Sequence, residues 1–452
     1  AIKSLPWPGK ATVEVSLVTI TKQIWKHKFV LANKIVNSIN SYLDDDQILI
    51  NPFVLKQNDL KSFQGSVVLG KGFIINEEIA NEFISKEEKY KDVLFQYLNG
   101  DDINNDIEQK PSRWIINFYD WSEDYCKDNY PKAYNILQND VKPERIILKD
   151  KGYREKWWQY ARKGVDLYNS IKNQNKVLAI SQATKYIQPI WVNKNYVYDQ
   201  ALIIFGFKNF QYCAYLNSTI HCVFAEKERS TLGGTSYYIP TKALQPFPFP
   251  QHLTASQEQK LESIGEAYHE HRRQLMLKMQ LGLTKTYNAF HAKEIQESRA
   301  KSQDLVGLDK KTIEKQYGKE VWNLWNHLSK TEGACGMEEA VAGIIELRRL
   351  HVLMDEAVLE AYGWSDVMLR HDFYEVDYLP ENDRVRYTIH PEARKEILKR
   401  LLELNHKIHA EEVEKGLWEK KSKAKAKAEA KAKPYDTKVD VSVLSEPKIA
   451  FE

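Results

Sequence analysis

The stretch Lys142 to Lys163, KPERIILKDKGYREKWWQYARK, carries eight basic residues against three acidic ones, with Tyr153, Trp157, Trp158 and Tyr160 interleaved. Lys142, Arg145, Lys149, Lys151, Arg154, Lys156, Arg162 and Lys163 supply charge of the kind that neutralises phosphate. The aromatic rings between them offer rigid surface for sugar, base or core packing. Arg and Lys geometry also suits readout of base edges. Two readings compete on the residues alone: a nucleic-acid contact surface, or a solvated helix that sends two tryptophans into the core.

A wider pattern favours the first reading. Tyr130-Pro131, Val141-Lys142-Pro143-Glu144-Arg145 and Arg154-Glu155-Lys156-Trp157-Trp158 follow one another along the chain. This order resembles the YP, VKPER and R..WW run in the target recognition domain of MmeI-like restriction-modification enzymes. Those enzymes join an N6-adenine DNA methyltransferase to a DNA-reading domain, often with a nuclease.

At 452 residues the chain has room for two or three domains with cores of their own. The net charge of +3 is too small to imply a nucleic-acid partner by itself, but it hides asymmetry: Asp44-Asp45-Asp46 and Asp101-Asp102 lie outside the basic run. Cys126, Cys213, Cys222 and Cys335 form no CxxC pair and have no histidine at zinc-finger spacing, which supports neither a disulfide frame nor a structural zinc. No run approaches the roughly 20 apolar residues of a membrane span, and the N-terminus lacks an apolar signal core. A reducing cytoplasm is the expected compartment, with no membrane partner.

Outward toward the N-terminus, Pro6-Trp7-Pro8-Gly9 turns into Ala11 to Thr21, where Val13, Val15 and Leu17 alternate with Thr12, Glu14 and Ser16 as in a strand. The segment resembles PWPG-ATVEVS near the end of the family's methyltransferase domain. On that likeness the strand is the last piece of a Rossmann-like sheet, and the chain is expected to be a fragment of something longer. Adenine methyltransferases of this kind use an [N/D/S]PP[Y/F] loop to hold and stack on the flipped base. Asn51-Pro52-Phe53-Val54 comes nearest, but it has one proline and follows the PWPG segment, so a strand-ending turn is the better reading. No catalytic residue is assigned.

Gly70-Lys71-Gly72 lacks the third glycine and the βαβ setting of a nucleotide loop, and the glycines of Gln64 to Phe73 are taken as structural turns. Asn76 to Phe83 reads as a short helix, Tyr97 to Asn104 as a turn and Arg113 to Phe118 as a strand. Asn99 and Asp102 suit bound adenine or sugar, or equally a loop held by their side chains. Strands follow at Lys176 to Ser181, Tyr186 to Val192 and Tyr198 to Phe207, with Lys185 between the first two as a phosphate contact or an ordinary surface lysine. Phe210 to Phe224 has helical spacing, with His221 near its apolar face as a satisfied core histidine.

Glu226 to Phe249 is the second candidate contact, combining Lys227, Arg229, Gly233-Gly234, Thr231, Thr235, Ser236 and Tyr237-Tyr238 before Pro246-Phe247-Pro248-Phe249-Pro250. Arg and short polar side chains on a flexible loop suit base edges in a groove, although a mobile surface hairpin has the same composition. The FPFP ending resembles the exit of the family's recognition domain.

From Leu253 the pattern becomes helical, with an apolar stripe from Leu261 to Tyr287 and His269-Glu270-His271 on its charged sides. Two histidines two apart on a helix point away from each other, so metal binding is not expected. Met337 to Tyr362 and Pro391 to Ile408 read as further helices, and Ala361-Tyr362-Gly363-Trp364 resembles the AYGW signature of related type II and phage-defence methyltransferases. Lys420 to Lys433 is a Lys-Ala tail able to add non-specific phosphate attraction.

The expected class is α+β: a mixed α/β recognition domain and a mainly helical C-terminal domain, preceded by a strand remnant of a methyltransferase domain. Boundaries fall at 1–60, 61–252, 253–415 and 416–452. The resemblance implies site selection on double-stranded DNA for an adenine-specific methyltransferase, with S-adenosylmethionine as the full-length parent's cofactor and no cofactor or metal held in this chain. The catalytic part would be a missing N-terminal domain or, if this is a separate specificity subunit, a partner chain. The latter predicts an exposed apolar face on residues 1 to 60. An autonomous enzyme of another class lacks support, because no Gly-x-Ser-x-Gly, paired zinc ligands or PD…ExK pattern is present.

Overall fold

The computed structural model describes residues 1–7, 14–23, 25, 27–39, 43, 51–227, 230–232, 235–296, 301–376, 379 and 383–419. The class is α+β, with helices and several small sheets. One four-stranded sheet runs in the order Ile190–Asn193, Lys176–Ser181, Leu202–Phe205, Ser62–Gln64, antiparallel throughout. Its two central strands show no alternation because both faces are covered: Val177 to Ser181 and Leu202 to Phe205 are all buried. A second sheet runs Val197–Tyr198, Leu94–Leu98, Arg113–Ile116, Ile74–Ile75, with its first pair parallel and the others antiparallel.

Among the described residues the buried apolar side chains form two clusters. The smaller gathers the second sheet, the helix Pro131–Asp140 and the rings of Trp157, Trp158 and Tyr160. The larger begins at the first sheet and continues through Ala255–Met279 and Met337–Ala361 to Leu401 near the chain's end, with no break at residue 252. Ala255–Met279 lies against Phe210–Asn217 so closely that a Cβ at Gly265 would come within 2.2 Å of the Phe210 carbonyl oxygen. Only glycine permits that approach.

Several elements depart from the sequence reading for local reasons. Phe210 to Phe224 is two helices, Phe210–Asn217 and Thr219–Lys227, because extended Ser218 interrupts them; its hydroxyl donates to Tyr215 O at 2.7 Å and accepts from His221 N. The expected turn at Tyr97 to Asn104 is the end of a strand followed by the helix Gly100–Asn105, started by Asn99 and Asp102 in a reciprocal cap. The stripe from Leu261 to Tyr287 is divided at Gln280, which takes φ 53°, before the helix Leu283–Phe290. His269 is not on a charged side: it is buried and tilts against Phe210. At the N-terminus, Glu14–Leu17 is a strand, paired antiparallel to Ile2–Pro6; residues 11–13 of the expected strand lie outside the described residues.

Candidate nucleic-acid interface

Lys142 to Lys163 folds as two short helices, Lys142–Ile146 and Lys151–Glu155, and a turn that drives both tryptophans inward. Asp150 starts the second helix by accepting from Tyr153 N at 3.0 Å. Trp158 Nε1 and Gln159 Nε2 each donate to Trp121 O at 2.9 Å, and Tyr160 donates to Ile116 O at 2.9 Å, fixing the turn to the second sheet.

Arg145 sorts apart from the other basic residues. It is 1 % exposed, and its guanidinium donates to the carbonyls of Leu69 at 2.6 Å, Val68 at 2.8 Å and Gln159 at 3.1 Å. Burial pulls its pKa below the ordinary arginine value, outweighing the opposing pull of Tyr153 and Glu144. The expectation of a phosphate contact here is therefore corrected. Arg145 staples the loop after Gln64, in which a Cβ at Gly65 would strike Asp199 O at 2.1 Å, to the basic segment. Trp157, 3 % exposed against Tyr134 and beneath Lys142 Nζ at 4.8 Å, is likewise core and not a contact surface.

What remains outward is Lys149, Lys151, Lys156 and Arg162, with Arg154 half-buried between them. Arg154 spends one end of its guanidinium on Leu148 O at 2.8 Å and Lys149 O at 2.7 Å, which holds the segment's own bend. Lys142 faces Glu123 at 3.8 Å, Lys163 pairs with Asp120, and Lys151 lies 3.6 Å from Glu155. Exposed Ile146 and Ile147 stand among these charges. The arrangement is a basic rim on an aromatic base, able to meet a polyanion's backbone.

Lys185 lies elsewhere, between Asn288 at 3.0 Å and Asp383 at 3.1 Å, above the Tyr186 ring. The Ser230–Leu232 and Thr235–Tyr237 strands form a hairpin that includes Thr235 and Ser236, whose side chains lie outside the described residues, as do Arg229 and the Gly233-Gly234 tip. Lys227 ends the preceding helix. The Lys420 to Lys433 tail is also outside the described residues.

Asn51 to Val54 is tied to the C-terminal helix through Phe53, whose ring stacks one face on a histidine. Asn405 accepts from Phe53 N at 2.8 Å and donates to Phe53 O at 2.8 Å, while the Phe53 ring lies 4.2 Å from that of His409 at 10°. His221 is a buried core histidine beside Tyr238, 3.1 Å from its hydroxyl, and burial pushes its pKa down to about 3. Among the described residues no group of three or more His, Cys, Asp or Glu is placed to hold a metal ion, and no helix is long and apolar enough to cross a membrane.

Sequence reasoning missed a buried polar chain at the seam between the first sheet and the long helices. Arg272 donates to Pro189 O and Asn217 Oδ1, each at 2.9 Å, and lies beside Tyr287, whose hydroxyl donates to Gln188 at 2.7 Å. Tyr287 meets Tyr268 at 2.7 Å, Tyr268 meets His351 at 3.2 Å, and His351 meets Thr219 at 2.9 Å. Asp355 closes the chain, accepting from Thr219 N at 2.7 Å and bonding His371 at 2.8 Å. The signal for it lay in His351 and Asp355, four apart within the apolar stripe of Met337–Ala361, and in Arg272 within that of Ala255–Met279.

The fold has a counterpart among solved structures. It matches the type IIL restriction-modification enzyme MmeI, solved in complex with DNA, at TM-score 0.52 and 13% sequence identity over 83% of this chain. The likeness is one of fold. This chain spans 39% of the length of that MmeI chain. No protein-family model and no curated protein matches the sequence.

Proposed function

We propose that this chain selects a site on double-stranded DNA for an adenine-N6 methyltransferase of a restriction-modification or phage-defence system. The observation that carries the reading is the shared fold with an enzyme solved on DNA, over 83% of this chain. Support comes from the outward basic residues Lys149, Lys151, Lys156 and Arg162 and from the sequence motifs of Tyr130 to Trp158. In this reading residues 61–252 contact DNA and residues 253–415 brace them. S-adenosylmethionine belongs to the catalytic part of the parent enzyme, and methyl transfer is not assigned to any residue here.

The alternative is a separate specificity subunit that docks on a catalytic partner. One observation favours a docking face: Trp7, Leu17, Val18, Ile20, Trp25, Val30 and Ile35 are all at least half exposed. Binding of the purified chain to a randomised duplex library across a salt series, followed by sequencing of the retained DNA, tests both. An enriched short motif supports a self-sufficient recognition module. Binding without enrichment favours the docking alternative, and absence of binding overturns the DNA reading.

A further inference from the structure

Beside the basic segment lies an open cleft of about 740 Å³, lined by Phe95, Tyr119, Trp121, Tyr125 and Tyr130 together with Lys91, Asp92 and Asp120. Its rings meet at steep angles: 84° between Phe95 and Tyr119, 52° between Tyr119 and Trp121, and 73° between Trp121 and Tyr125. Planes set this way make the walls of a box. They do not make the parallel slot that a flat nucleobase stacks into. The one parallel pair, Trp121 on Tyr130 at 13°, is already closed by its own two rings.

The box is built rigidly and left open. Trp121 is fixed through its carbonyl by Trp158 and Gln159. Tyr119 takes φ 49°, a left-handed backbone unusual for an aromatic residue, held by its N–H donating to Asn117 Oδ1 at 3.0 Å. That conformation is sustained although Tyr119 is 41 % exposed, as its neighbour Tyr125 is at 46 %. The charges on the rim are unequal in their commitments. Lys91 pairs with Glu88 at 2.9 Å and Lys163 neutralises Asp120, whereas Asp92 accepts only the Tyr130 hydroxyl, at 3.2 Å, among the bonds of the described residues.

We propose that the Tyr119, Trp121, Tyr125 and Asp92 cleft binds an alkylammonium group, the aromatic faces supplying cation–π attraction and Asp92 the counter-charge. Desolvated sites of this type gain most from cations that carry little hydration, such as quaternary or methylated ammonium. The site stands independently of DNA binding, and its carboxylate is opposite in sign to what phosphate requires.

The test uses the full chain and three probes in titration calorimetry: choline, its neutral carbon analogue 3,3-dimethyl-1-butanol, and a short peptide carrying one trimethyllysine. Choline or the peptide should bind at least tenfold more tightly than the neutral analogue, and whichever is tighter identifies a free amine or a protein side chain as the source. Tyr125→Ala and Asp92→Asn should each remove most of the binding, with thermal midpoint and far-ultraviolet circular dichroism unchanged as a check on folding. Equal affinity for choline and its neutral analogue overturns the proposal, as does binding of adenosine monophosphate in preference to all three. Unchanged duplex-DNA binding in Tyr125→Ala separates this site from the basic rim.

Discussion

Arg145 and Lys156 stand eleven positions apart in the same basic run, and the fold gives them opposite work. Arg145→Ala removes the donor to three carbonyl oxygens, and each buried acceptor left unsatisfied costs about 1–3 kcal/mol. The expected result is a markedly lower urea midpoint, with DNA affinity falling only as the folded fraction falls. Lys156→Gln, on an exposed side chain, should leave the midpoint alone and make the slope of log affinity against log salt shallower by up to about 0.9. If Lys156→Gln leaves the salt slope untouched, the basic rim is not where phosphate binds. His221 gives a residue-scale prediction of a different kind. Burial lowers its pKa from 6.5 to about 3, so between those values the unfolded chain holds a proton that the folded chain does not. Stability is fully present above pH 6.5 and declines as pH falls, at up to about 1.4 kcal/mol per pH unit for each such histidine. His221→Phe should flatten the dependence of the urea midpoint on pH between 6.5 and 4.5. Parallel curves for the two proteins would show that the imidazole titrates normally in the fold.

At the scale of elements, neighbouring positions on one helix separate burial from charge. On Ala255–Met279, Arg272 is 1 % exposed and donates to Pro189 O and Asn217 Oδ1, while Arg273 forks outward onto Glu270 at 2.7 and 2.9 Å. Arg272→Met should cost about 1–3 kcal/mol through Asn217 Oδ1, the acceptor it leaves unpartnered, since Pro189 O keeps Asn217 Nδ2 at 3.2 Å, and Arg273→Met about 0.5 kcal/mol or less, as exposed i,i+3 pairs do. Chemical denaturation of both variants checks the contrast; similar losses would mean that the buried chain contributes nothing beyond packing. These two arginines also show what the sequence displayed and what it hid. Long periodic segments such as Met337–Ala361 were legible, because an apolar stripe of that length has one way to be buried. So were the strands Lys176–Ser181 and Leu202–Phe205, marked by unbroken apolar runs. Ser218 and Gln280 were not, since a helix break made by one hydroxyl or one left-handed residue leaves no periodic trace. The basic run was legible as charge only: which guanidinium turns inward depends on the carbonyls of Val68 and Leu69, more than seventy positions from Arg145, and on the turn that brings Gln159 back to it.

For the whole molecule, the decisive relation is between the first sheet and the long helices. Phe210–Asn217 buries Cys213, Ala214, Tyr215 and Leu216, and Ala255–Met279 covers that helix so tightly that Gly265 admits no side chain. The polar chain from Arg272 to Asp355 crosses the same seam, with partners on both sides of residue 252. The Pro391–Glu414 helix reaches back further still, where Glu412 accepts from the backbone N–H groups of Lys56 and Gln57 at 2.8 and 2.9 Å. A segment of residues 51–252 made alone would therefore expose a large apolar face and leave Asn217 Oδ1 without Arg272 and the Thr219 N–H without Asp355. It should retain far-ultraviolet circular dichroism but lose near-ultraviolet signal and bind a hydrophobic dye, the behaviour of a chain whose packing has been removed but whose backbone bonds persist. Residues 51–419 should instead unfold in a sharp transition by calorimetry. A cooperative transition with dispersed amide resonances in the 51–252 piece would show that the recognition part folds by itself. In that case the helices serve a partner or DNA, and not the core they share.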